Sequence, residues 1–161
     1  MWFLRLLHIA AGVFWAGGAM LMGWFIAPSA RRTGPAAGPF MQSLLRARVA
    51  DYMFGAATVA VGAGLWLLFA TGGPRSGSWQ GWALNLGALS GIAAILVGGM
   101  VQRPTAGNIQ RLGASVAATG APPTPEQAAE LGQLQTRMGA AASTTALLVA
   151  VAVVGMALGG G

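Results

Sequence analysis

Residues 52–74 read YMFGAATVAVGAGLWLLFATGGP, and no charged side chain interrupts the run from Tyr52 to Pro74. A helix crosses a bilayer core with about 20 predominantly apolar residues. Three more charge-free windows reach that length: Leu6 to Ala30, Ser76 to Gln102 and Met138 to Gly161. Together they predict transmembrane helices near 2–27, 52–71, 80–102 and 138–158. Barrel strands would need strict alternation over about 9–11 residues, which these windows lack. Backbone exposed to lipid must satisfy its own hydrogen bonds, so helices are the remaining solution. The expected fold is an all-α, four-helix transmembrane bundle forming a single domain over 1–161.

Composition points the same way. Hydrophobic residues make up 55% of the chain and charged residues 7%. A soluble domain is about 25% charged, so a soluble globule is excluded. There is no Cys, which excludes disulfides, zinc fingers, thiolate ligands and cysteine nucleophiles.

The nine cations are all Arg, and their placement predicts orientation. Arg31, Arg32, Arg46 and Arg48 lie in the first loop, and Arg103, Arg111 and Arg137 in the third. Arg5 and Arg75 fall on the other side. The positive-inside rule then puts both long loops in the cytoplasm and both termini outside. The net charge of +6 follows from this topology, and no nucleic-acid partner is needed to explain it. Attraction to anionic headgroups is the modest alternative. Trp2, Phe3, Trp24, Phe25, Tyr52, Phe54, Trp66, Phe69, Trp79 and Trp82 fall near span ends, as an interfacial belt does. The fourth helix has no aromatic residue and is expected to be shielded by protein. The first helix reads as an anchor with its N-terminus outside, not a cleaved signal: its apolar run continues to Ala27 and the Arg pair follows it.

The loops carry two signals. After Pro39, the first loop can place Phe40, Leu44 and Ala47 toward the membrane with Arg46 turned away. That segment either lies on the surface or extends the second helix downward. In the third loop, Pro104 is expected to end or kink the third helix, and residues 120–124 form a break. Thr124, Pro125 and Gln127 then make an N-cap, a first-turn proline and a capping-box partner. The helix they open can run from 125 to 158, with 125–137 projecting into the cytoplasm. A kink at Gly132 or Gly139 is the competing expectation.

Small residues suggest close packing. Gly87 and Gly91, extended by Ala94 and Gly98, form a ridge on the third helix. Gly55, Thr58 and Gly62 form another on the second, in line with Asp51. Asp51 follows Arg48 by three residues and is expected to pair with it as an interfacial anchor. Glu126 and Glu130 read as a solvated helix face.

His8 is the one histidine and the main candidate for chemistry, because ionisable groups at membrane depth are costly. Its helix face also carries Ala11, Gly12, Trp15, Ala19 and Met22, while Leu6, Leu21 and Trp24 lie opposite. A neutral imidazole can ligate haem iron or copper, or donate a hydrogen bond to a neighbouring helix; proton handling is a third role. By depth, Trp66, Asn85 and Met156 share its layer. His8 and Met156 would be the axial pair if one chain held a haem, and Asn85 the partner of His8 if no ligand were bound. The eight Met residues are scattered, so a copper site is not indicated by Met composition.

Leu7-His8, Trp15-Ala16-Gly17-Gly18, Pro28 and Arg31-Arg32 give the first helix a pattern that resembles the copper resistance protein D superfamily. The four-helix bacterial protoporphyrinogen oxidase, which binds haem b, has a similar first helix. The resemblance implies that His8 matches the family's first-helix histidine, a candidate axial ligand. With one His, bis-His ligation within a single chain is impossible. The resulting expectation is a small non-catalytic protein of a bacterial inner (plasma) membrane, binding haem b or copper through His8. The alternative is a cofactor-free accessory or structural subunit, packing on other membrane subunits or on itself. A small transporter would call for broken helices and midplane charges, which the sequence lacks.

Overall fold

The computed structural model describes residues 1–74 and 77–159; Arg75, counted above on the outer side, lies outside them. The described chain is helical with no strand. The elements are α1 (Trp2–Met20), α2 (Ala27–Thr33), α3 (Gly38–Arg46), α4 (Val49–Ala70), α5 (Trp79–Val97), α6 (Arg103–Thr119) and α7 (Pro125–Gly159). Four continuous helical stretches are long and apolar enough to cross a membrane: Trp2–Thr33, Val49–Ala70, Trp79–Thr119 and Pro125–Gly159. The protein is thus an all-α bundle with the character of an integral membrane protein.

Two of these stretches exceed the sequence-based boundaries, for one shared reason. A π-helical turn, Leu21–Ile26, joins α1 to α2, and another, Gly98–Gln102, joins α5 to α6. Pro28 and Pro104 each sit at the start of the helix that follows. A proline inside an α-helix lacks a donor and clashes with the carbonyl four residues back. Here that carbonyl belongs to Trp24 or Met100, inside the widened turn. The π turn absorbs the misfit, and the helix continues. Pro104 therefore does not end the third helix, the first of the two outcomes expected of it; the helix passes it through an irregular turn.

The third-loop break stands where the sequence puts it. Gly120 closes α6 in the left-handed conformation, with φ 64°. The Thr124 N–H donates to Gln127 Oε1 at 3.0 Å, and the Gln127 N–H donates to Thr124 Oγ at 3.3 Å. This is the reciprocal capping box. From there α7 is one continuous helix of 35 residues, a length of about 50 Å. In the first loop, α3 is a separate short helix: Arg48 adopts φ 56° and turns the chain before α4 begins.

Packing is organised as two close pairs, α1 with α4 and α5 with α7, joined chiefly by contact of α1 with α7. Among the described residues, ten of the twelve buried apolar ones are Ala; Trp15 and Val149 are the others. Large apolar side chains such as Phe14, Leu21, Trp66 and Leu89 are more than half exposed. This pattern suits lipid, where close backbone approach drives helix association in place of the hydrophobic effect. The aromatic-free α7 is the most shielded span, with 33% of its apolar window buried against 17–22% in the others.

The α5–α7 seam shows how close the approach is. A Cβ added at Gly87 would lie 3.0 Å from both Ala152 O and Met156 N. One at Gly155 would lie 2.6 Å from Ala83 O, and one at Gly159 2.5 Å from Gln80 O. Gly87 is thus backbone-close to another helix, as its ridge predicts. Gly91 makes ordinary contact with the Ala152 methyl, and Gly98 faces the Phe54 ring. The ridge expected on the second helix is corrected. Gly55, Thr58 and Gly62 are exposed, and a Cβ at either glycine would meet open space. The buried face of α4 carries Ala57, Ala60 and Ala63 instead.

Candidate functional site around His8

His8 lies two turns into α1, on the face that carries buried Trp15, Ala16 and Ala19. Leu6, Leu21 and Trp24 on the other side are exposed, as the helical wheel predicts. The imidazole therefore turns inward, toward α4. Its Nδ1 lies 2.7 Å from Ala60 O. A carbonyl can only accept, so Nδ1 carries the proton and donates. The ring also covers Gly64: a Cβ there would lie 2.7 Å from His8 Cε1 and 3.0 Å from Nδ1. Glycine at that position makes the notch that admits the ring.

The partner of His8 is thus a backbone carbonyl of α4, not Asn85. Asn85 has an interaction of its own, and it stands on α5, which packs mainly on α7. Shared depth did not translate into proximity, because α1 and α5 belong to different pairs. Met156 is separated from His8 in the same way. Its backbone lies against Gly87 in the α5–α7 seam, whereas His8 sits in the α1–α4 seam. Trp66, the third residue of that layer, is 65% exposed.

The fit to haem b or copper can be judged from these contacts. His8 offers one free nitrogen, Nε2, with Nδ1 held by a carbonyl as in many ligating histidines. Met156, the expected second ligand, lies in the other seam. No group of three or more His, Asp or Glu side chains able to hold a metal ion occurs among the described residues. Two open apolar grooves lie on the lipid-facing surface, one lined by Gly62, Leu65, Trp66, Phe69 and Ala70, the other between α5 and α7, and neither includes His8. Among the described residues, one chain does not bring the expected His8–Met156 pair together on a haem or a copper ion.

Two further polar side chains, Gln102 and Ser143, also bridge helices. Gln102 Nε2 donates to Thr145 Oγ at 2.8 Å and to Ala141 O at 3.1 Å, tying the π turn of the third span to α7. Ser143 Oγ donates to Gly23 O at 3.3 Å, tying α7 to the π turn of the first span. Among the described residues, no buried side-chain nitrogen or oxygen lacks a partner. The π turns were not legible in the sequence, although a proline after an unbroken apolar run is a usable hint.

At the Arg-rich end, the expected Arg48–Asp51 pair forms at 3.0 Å. Arg103 joins it, with Nη2 at 3.2 Å from the same carboxylate and its guanidinium 4.7 Å above the Phe54 ring. Asp51 thereby links the start of the second span to the end of the third. Spacing alone could not show Arg103, which is 52 residues away. No family model matches the chain, and comparison with curated proteins and with solved structures gives no match.

Proposed function

We propose that this chain is a non-catalytic integral membrane protein that acts as an accessory or structural subunit, packing on other membrane subunits or on a second copy. The observation that supports this reading is the use of its intramembrane polar groups. His8, Gln102 and Ser143 each donate across a helix seam, to Ala60 O, Ala141 O with Thr145, and Gly23 O. In lipid such bonds hold helices in register. Residues arranged for chemistry would instead converge on one cavity.

A second reading keeps the resemblance to the copper resistance protein D superfamily, with haem b or copper on His8 in redox or metal homeostasis. One observation favours it: the Nδ1 donation to a carbonyl leaves Nε2 as an acceptor. The second ligand would then come from another chain. On either reading the location is the inner membrane of a bacterium.

Absorbance and metal analysis of the protein purified in mild detergent, together with cross-linking in the native membrane, separate the two. A colourless, metal-free preparation that cross-links into a defined assembly is the expected result. A Soret band or stoichiometric copper, lost in His8→Ala, would overturn the structural reading and establish the second.

A further inference from the structure

Arg31 stands on the inner end of the first span, and its guanidinium fills the space that a Cβ would take at Gly139 of α7. Gly139 is buried under it. The guanidinium therefore rests against the seam between α2 and α7, while the Arg31 side chain stays exposed to a ligand.

Its surroundings hold little negative charge. Arg31, Arg32, Arg46, Arg48, Arg103 and Arg137 stand around this end of the bundle, close to the bilayer boundary. Asp51 is the one carboxylate there among the described residues, and Arg48 and Arg103 already occupy it. Arg46 donates to the neutral Gln42 amide. Glu126 and Glu130 lie farther out, on the projecting start of α7. Arg31 and Arg32 make no ion pair among the described residues. Beside them the first span exposes Leu21, Trp24 and Phe25, an apolar surface at acyl-chain depth.

We propose that this place is a binding site for an anionic phospholipid. The phosphate sits on the Arg31 guanidinium in the α2–α7 seam, with Arg32 adding charge, and the acyl chains lie along Leu21, Trp24 and Phe25. A guanidinium can engage two phosphate oxygens at once, and basic sites between helices at the membrane face favour anionic headgroups. The inference goes beyond the structural reading above and holds whether or not that reading does.

The test is lipid binding to the purified full chain in a neutral detergent, counted by native mass spectrometry during titration with phosphatidylglycerol or phosphatidylcholine. Phosphatidylglycerol should bind in preference, and R31Q should weaken it about fivefold, the effect of one Arg near the surface. G139V keeps the charge but displaces the guanidinium, and should weaken binding similarly. R111Q, an exposed Arg on α6 whose guanidinium engages Asn108 and not Gly139, should change it less than about twofold. Inorganic phosphate at millimolar concentration should not displace the lipid. Equal losses in R31Q and R111Q would reveal diffuse attraction and overturn the site, as would an unchanged R31Q or displacement by inorganic phosphate. If G139V fails to fold, R31Q decides, since Arg31 is largely exposed and its truncation leaves the backbone seam intact.

Discussion

Replacing Gly155 with alanine is the sharpest test of the packing argument. The added Cβ would lie 2.6 Å from Ala83 O, 2.8 Å from Gly87 Cα and 2.9 Å from Gly87 N. All three are backbone atoms of α5, so no side chain can swing away. Ordinary contact begins at 3.4 Å, so the seam must open by about 0.8 Å, enough to forfeit a quarter to a half of each dispersion well along it. Overpacking of this kind costs about 1–3 kcal/mol, against a helix-propensity gain for Gly→Ala of at most about 1 kcal/mol. A mid-range cost of about 2 kcal/mol less a gain of about 1 kcal/mol leaves an expected net loss of about 1 kcal/mol. Gly91→Ala is the matched control, because its Cβ would meet only the Ala152 methyl at 3.9 Å. It should be neutral or slightly stabilising. The assay is unfolding by SDS titration in mixed micelles, followed by circular dichroism. G87A combined with G155A should cost less than the two separately, since a seam already opened admits the second methyl. A G155A protein as stable as wild type, or a G91A protein equally damaged, would refute the reasoning.

Three further outcomes follow from the same structure. His8→Ala should destabilise the bundle by about 0.6–1.7 kcal/mol, the range of an interhelical hydrogen bond in lipid, and unfolding in the same micelles would show it; no change would mean that the Ala60 bond carries no stability. Thr124→Ala removes the capping-box acceptor and should cost about 1 kcal/mol of local helix stability, read as faster hydrogen exchange over 125–137 with the membrane part of α7 unaffected. Reporter fusions should place the C-terminus outside, as the Arg distribution requires; a C-terminal reporter active only in the cytoplasm would reverse the topology.

The sequence by itself determined the spans, the capping box at Thr124, the Arg48–Asp51 pair and the inward face of the first helix. Each rests on a local signal: a charge-free length, a three-residue spacing, or a clear contrast between bulky and small sides. Only the tertiary structure decided that Ala57, Ala60 and Ala63, not Gly55 and Gly62, form the buried face of α4. That helix is apolar all round, and in lipid hydrophobicity does not separate inside from outside, so shape fit against α1 makes the choice. The same holds for His8. Its inward direction was legible, but the carbonyl of Ala60 and the notch at Gly64 became its partners only when α1 paired with α4. Asn85 and Met156 share its depth but lie across a different seam, because depth follows from the sequence whereas pairing follows from which helices can approach most closely.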